Sequence, residues 1–242
     1  MRDITLFHGS RGGIVGDIKP QSRVHCDFGK GFYMGESSDQ AKGLIYIDPE
    51  PMLYTVNLKL SEIPNDKILI LEGMDWVYAV LANRQKVPEF SDTKFAKDWV
   101  SYMNQMDVVI GPIADDKMAD AMRAFQNGQL TTDGLLYCLQ HVQYGNQYVC
   151  KTDEACKHIE ITSERELTWD EKEQADVYSK AKRTESNGLI QEATREFRNK
   201  GLYIDELIED IQRQEKNDLE NEDLETEDQS LDNTDGYDPA DN

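Results

Sequence analysis

Apolar positions change their period several times along the chain, and each change marks an element. Residues 4–8 and 29–34 read as short strands closed by glycine. Ser37-x-x-Gln40 has capping-box spacing, so a short helix is expected there, turning Ala41 and Leu44 inward. Val56, Leu58 and Leu60 alternate with Asn57 and Lys59, the period of a half-buried strand, and residues 68–71 form another short apolar one. Val77, Val80, Leu81 and Arg84 share a helical face, as do Phe95, Trp99 and Met103. Residues 108–110 make a buried strand halted by Gly111-Pro112. Asp115-Asp116 then opens a helix with Met118, Ala121, Met122 and Phe125 inside, ended at Gly128. Thr131-Thr132 caps the next, which bears Leu135, Leu136 and Leu139. Strands at 147–152 and 158–161 complete the series.

After Trp169 the pattern thins. Residues 170–184 and 187–214 read as two densely charged helices with narrow apolar stripes, carried by Leu189, Ile190, Ala193 and Phe197, then Leu207, Ile208 and Ile211. They are expected to pack as an appendage on the domain or on a partner. Residues 215–242 offer only Leu219, Leu224, Leu231 and Tyr237 as large apolar groups among many Asp and Glu, the composition of a disordered acidic tail. The chain thus divides into an α+β domain over 1–165, a charged helical extension over 166–214 and an acidic tail over 215–242.

Composition narrows the function classes. The formal net charge of −21 over 242 residues leaves no basic face for a phosphate backbone, which argues against nucleic-acid binding. Cys26, Cys138, Cys150 and Cys156 form no C-x-x-C pair, and the histidines supply no zinc-finger spacing. Reduced thiols are the expected state, and no metal is expected. Asp115-Asp116 suits a helix dipole without one. No apolar stretch approaches membrane-spanning length, and no signal-peptide core follows Met1, so the expected compartment is cytoplasmic.

Candidate chemistry lies in three places. In Leu6-Phe7-His8-Gly9-Ser10 a histidine ends a strand, where its imidazole can hold a hydroxyl. Gly9 lets backbone N–H and C=O approach a flat carboxamide. In Phe28-Gly29-Lys30-Gly31-Phe32-Tyr33 the tyrosine can offer an aromatic platform. In Tyr144-Gly145-Asn146-Gln147-Tyr148-Val149 a glutamine opens a strand. Each has an ordinary reading as well: a satisfied strand-end histidine, a packed tyrosine, a solvent-facing glutamine. Arg84 can meet a pyrophosphate or a surface carboxylate.

Together the three motifs resemble a known family. Residues 6–41, with His8-Gly9-Ser10 and Phe28-Gly29-Lys30-Gly31-Phe32-Tyr33, resemble the NAD-binding half of the poly(ADP-ribose) polymerases and the diphtheria-toxin class of ADP-ribosyltransferases. Asn146-Gln147-Tyr148-Val149 is similar to that family's strand carrying the catalytic glutamate. A closer resemblance spans nearly the whole of the first 160 or so residues. It is to the bacterial domain of unknown function 3990, counted among ADP-ribosyltransferase-like folds. It is carried also by Asp27, Gln40-Ala41, Asn83-Arg84 and Gly111-Pro112-Ile113-Ala114-Asp115-Asp116. The sequence departs from the polymerases at Gln147, where they have the glutamate. It departs again at Ala41 and Leu44, where a carboxamide-binding serine and a second stacking tyrosine would align; Tyr46 lies near enough to stand in.

The resemblance implies an ADP-ribosyltransferase fold, a split and mostly antiparallel sheet with helices, and NAD as substrate without a metal. His8, Tyr33 and Gln147 are the implied catalytic residues, with His8, Gly9, Ser10, Gly31, Tyr33 and Arg84 binding NAD. His8 would hold a ribose hydroxyl, Tyr33 the nicotinamide ring, and Gln147 a hydroxyl on the ribose that becomes cationic. The function expected is mono-ADP-ribosyl transfer to an unknown macromolecule, by a toxin, effector or defence protein that a cognate inhibitor or antitoxin would restrain. The alternatives are a silent NAD- or ADP-ribose-binding module, or an interaction protein acting through its acidic helical C-terminal region.

Overall fold

Seven short strands and a set of helices alternate along the chain, and the strands assemble into one mixed sheet. The computed structural model describes residues 1–113, 116–141 and 145–231, the side chains at 116–117, 178–186 and 222–231 excepted. Strands β1 (Ile4–Ser10), β2 (Phe32–Gly35), β3 (Met52–Leu58), β4 (Ile68–Ile70), β5 (Val108–Pro112), β6 (Asn146–Cys150) and β7 (Ile159–Glu166) lie in the order β4-β5-β6-β2-β1-β3-β7. Only β4 and β5 run parallel; the other neighbours are antiparallel. The helices are α1 (Ser38–Gly43), α2 (Gly73–Arg84), α3 (Pro88–Ser91), α4 (Lys94–Asn104), α5 (Asp116–Gln126), α6 (Thr132–His141), α7 (Asp153–Cys156), α8 (Trp169–Phe197) and α9 (Ile204–Leu231).

Local chemistry explains the boundaries. Ser37 caps α1 by accepting from the Gln40 backbone, and Thr93 caps α4 by accepting from Ala96. Thr168 and Glu171 cap α8 reciprocally as a capping box. The second strand starts at Phe32 rather than at residue 29, because Gly29 takes φ +74 and turns the chain. β7 continues beyond residue 161 to Glu166 along β3. The expected helix opening at Asp115 lies outside the described residues.

The sheet separates two large apolar clusters. On one face Leu6, Phe32, Met34, Tyr54, Val56 and Tyr148 pack with Ala155 and Cys156 of the α7 segment. On the other, the helices from α2 to α6 pack Trp76, Phe90, Met103, Phe125 and Leu135 over Val109 and Val149. A smaller cluster beneath α1 holds Ala41, Ile45 and Leu53. Leu44 points outward, 60% exposed, because α1 lasts only from Ser38 to Gly43 and Leu44 is its C-cap.

Two expectations for the C-terminal region are corrected. No break occurs at residues 185–186: α8 runs unbroken to Phe197, and the chain turns through Gly201 at φ +75. Thr132 N–H donates to the Leu202 carbonyl at 2.8 Å, and Leu202 N–H to the Thr132 hydroxyl at 3.1 Å, tying that turn to the start of α6. Of the two places expected for the extension, the domain is the one it packs on: Ala193, Ile204, Leu207, Ile208 and Ile211 belong to the larger apolar cluster. Finally, the acidic segment is not unstructured from Glu215: residues 215–231 continue α9, and Glu215 Oε1 accepts from Phe95 N–H at 2.6 Å in the first turn of α4. Residues 232–242, the rest of the expected tail, lie outside the described residues.

Candidate functional site

The weakest seam of the sheet lies between β1 and β2, which share only the Phe7–Gly35 register pair, whereas β1 pairs with β3 along its whole length. Past Phe7 the two strands diverge, and His8, Gly9 and Ser10 line the β1 side. Strand alternation sets His8 on the face of Leu6, where its ring stacks on Phe32 at 4.3 Å. Tyr33 packs with the cluster on the opposite face, and Gln147, one residue before Tyr148, shares that side.

His8 Nδ1 lies 2.7 Å from the Tyr33 carbonyl. A carbonyl only accepts, so the neutral ring carries its proton on Nδ1 and leaves Nε2 as an acceptor. Burial holds the imidazole below its ordinary value, with the carbonyl bond opposing, which favours that neutral form. The two residues are therefore joined through the Tyr33 backbone.

The Tyr33 side chain holds the loop before it. Its hydroxyl donates to the Gly29 carbonyl at 2.7 Å and accepts from Phe28 N–H at 3.0 Å. Burial first, and then the Asp27 carboxylate, push its ionisation well above the ordinary phenol range, so it stays a neutral donor. Lys151 Nζ donates to the Phe28 carbonyl from the other side, and burial lowers that amine to about 8. A side chain at Gly29 would meet Asn83 Oδ1 at 2.6 Å and Lys151 Nζ at 3.2 Å, so the loop passes through a space only glycine fits.

Gln147 is buried, 8% exposed, and its Nε2 donates to Asp27 Oδ2 and to the Pro112 carbonyl, both at 3.1 Å. Arg84 takes the other Asp27 oxygen, with Nε at 2.7 Å and Nη2 at 2.6 Å from Oδ1. Gln147 and Arg84, far apart in sequence, are thus brought together through Asp27. Among the described residues no hydrogen bond joins His8 to Gln147. Next to Gln147, Glu36 accepts from Asn146 N–H at 2.8 Å and from the Tyr148 hydroxyl at 2.9 Å, fixing the start of β6 against the end of β2.

The remaining candidates are held by structure. Ser10 Oγ donates to the Gly13 carbonyl at 3.0 Å. A Cβ on Gly9 would meet the Ala41 carbonyl at 2.6 Å, and one on Gly31 would collide with Val149 Cγ1, so both glycines allow close packing. Tyr46 reaches Asp176 Oδ1 on α8 at 3.5 Å. Tyr144 lies outside the described residues. Asp27, Glu36 and Lys151 are the members that sequence reading leaves without a role. The signal for Asp27 was its place directly before Phe28-Gly29-Lys30-Gly31; nothing in spacing tied it to Arg84.

A separate surface depression of about 540 Å3 lies at the turns after α5 and before α9, lined by Gln126, Gly128, Tyr203 and Asp205 among others, and none of the strand-end residues lines it. Among the described residues, no cluster of three or more His, Cys, Asp or Glu is arranged to hold a metal, and no helix is long and apolar enough to cross a membrane.

The chain belongs to the family described as Protein of unknown function (DUF3990), which it matches over residues 4–161. That stretch runs from the first residue of β1 into β7 and takes in the whole strand-end cluster. No curated protein and no solved structure matches the chain.

Proposed function

We propose that this chain is a mono-ADP-ribosyltransferase, moving ADP-ribose from NAD to a macromolecular acceptor on an ADP-ribosyltransferase fold. The observation that carries the reading is a pair of oriented acceptors: His8 Nε2, freed by the Nδ1 bond to Tyr33, and Gln147 Oε1, freed by the two bonds from Nε2. They stand on opposite faces of the sheet, and each suits a hydroxyl donor, of which NAD carries several on its two riboses. The seam where β1 and β2 part gives Gly9 room to present its backbone to a carboxamide.

In the reaction, the bond between the nicotinamide nitrogen and the ribose anomeric carbon breaks, and its electron pair leaves with nicotinamide. A nucleophile of the acceptor bonds to that carbon and gives its proton to solvent. The protein contributes fixed geometry and acceptors that meet the developing positive charge. The uncharged Gln147 favours a second reading, a module that binds NAD without turning it over.

The test is calorimetry with NAD, followed by incubation of the protein with NAD labelled in its adenylate moiety and a host lysate. NAD binding that is lost in His8→Ala, with label transferred to a macromolecule, is the expected result. Binding without transfer or hydrolysis establishes the second reading, and a folded wild-type protein that binds no NAD overturns both.

A further inference from the structure

We propose that Asp27 is a positioning residue of this site, its carboxylate fixing the Gln147 amide so that Oε1 alone faces a ligand. The group so selected is a hydroxyl donor. That the hydroxyl belongs to the ribose of NAD rests on the function proposed above; the positioning itself does not.

A carboxamide has two N–H donors and one carbonyl acceptor. Both neighbours of Gln147 Nε2, the Asp27 carboxylate and the Pro112 carbonyl, are acceptors only. Turning the amide over would set an oxygen against two oxygens, so its orientation is determined by chemistry. Arg84 holds Asp27 in turn: two guanidinium nitrogens converge on Oδ1, leaving Oδ2 to Gln147. The pair is largely withdrawn from water, with side-chain exposures of 22% for Arg84 and 13% for Asp27, which strengthens each charge-assisted bond.

The members come from three separate parts of the fold. Asp27 precedes the loop pinned by the Tyr33 hydroxyl, Arg84 ends α2, and Gln147 lies on β6 in the middle of the sheet. This arrangement also accounts for the glutamine. A glutamate at 147 would set a second carboxylate against Asp27 and the Pro112 carbonyl, whereas Gln147 satisfies both and keeps a negative charge one hydrogen bond away. Asp27 and Gln147 are a matched pair.

The experiment uses the full chain. Side-chain amide signals of Gln147, identified by their absence in Gln147→Ala, are followed by two-dimensional NMR without any ligand. In wild type both protons are expected to be dispersed and slow to exchange; in Asp27→Asn one returns toward the position of a free amide. In parallel, NAD hydrolysis is measured through a double-mutant cycle. Asp27→Asn is expected to lower kcat about ten- to hundredfold, as loss of a hydrogen bond to a charged group implies, and to add nothing in the Gln147→Ala background.

If Asp27→Asn does not fold, Arg84→Lys replaces it, keeping the charge but losing the two-nitrogen grip, with smaller shifts in the same direction. Amide signals unmoved by either variant, or an equal loss of turnover with and without Gln147, would overturn the positioning role. Amide signals that respond as expected in a protein that binds no NAD support the positioning role and sink only the NAD reading.

Discussion

Stopping the chain after Glu166 removes α8 and α9 while sparing the sheet and every residue of the family match at 4–161. It also strips one side of the larger apolar cluster, because Ile204, Leu207, Ile208 and Ile211 are only 7%, 4%, 8% and 6% exposed. Burying such a side chain contributes about 1.5–3 kcal/mol, so the four together supply roughly 6–12 kcal/mol as an upper figure. A domain of this size is stable by about 5–15 kcal/mol in all. Residues 1–166 alone are therefore expected to lose cooperative unfolding. The assay is urea denaturation followed by tryptophan fluorescence, since Trp76 is wholly buried in that cluster. A milder version is Leu207→Ala, expected to cost about 2–5 kcal/mol and to lower Tm by roughly 4–20 °C. A fragment 1–166 that unfolds cooperatively at the full chain's midpoint would refute the reasoning.

Glu215→Ala removes the acceptor of Phe95 N–H and is expected to cost about 0.5–1.5 kcal/mol by chemical denaturation, whereas a stop after Leu219 leaves the midpoint in place; equal midpoints for Glu215→Ala and wild type would count against the cap. Gly9→Ala drives a Cβ toward the Ala41 carbonyl and should destabilise by about 1–3 kcal/mol, read as a lower Tm. Gln147→Glu sets a carboxylate against Asp27 and the Pro112 carbonyl, so its deficit relative to wild type should grow as pH rises from about 4 to 7, because the folded state then retains a proton that the unfolded chain gives up. A deficit independent of pH would contradict this. His8 is held below its ordinary value near 6.5, so below about pH 6.5 the unfolded chain binds a proton that the folded protein resists. Stability of wild type relative to His8→Gln should fall with pH across that range in urea titrations, and parallel curves would dismiss it.

The strands and the inner helical faces could be read ahead of the structure because a period of two or of 3.6 residues is local. Met118, Ala121, Met122 and Phe125 are all buried on one face of α5, as their spacing requires. The C-terminal helices were legible as helices, but the depth of their packing was not, for a physical reason. Their stripes are narrow and their charge high, yet a few well-placed residues such as Ala193 and Leu207 suffice when the rest of a core is waiting to receive them. The segment from Glu215 read as unstructured by composition alone, but a helix already anchored through Ile211 propagates with little added cost. At the candidate site the strand-end residues were legible as motifs. Asp27, which joins Arg84 to Gln147, was not, because its partners lie 57 and 120 positions away and no local period encodes such a contact.

The two borders of the sheet are protected by opposite means. β4 ends the order on one side with three residues, too few to template another strand. β7 ends it on the other with eight, and long exposed borders of that kind invite pairing with a second chain. Here the outer strand reads Ile-Glu-Ile-Thr-Ser-Glu-Arg-Glu, so an approaching copy would stack like charges at Glu160, Glu164 and Glu166. Arg165 meanwhile grips Glu171 through two nitrogens at 2.7 and 2.8 Å, which fastens the end of that border to α8. Replacing the glutamates of β7 by threonine or valine would leave the folded core untouched and open a route to edge-to-edge aggregation.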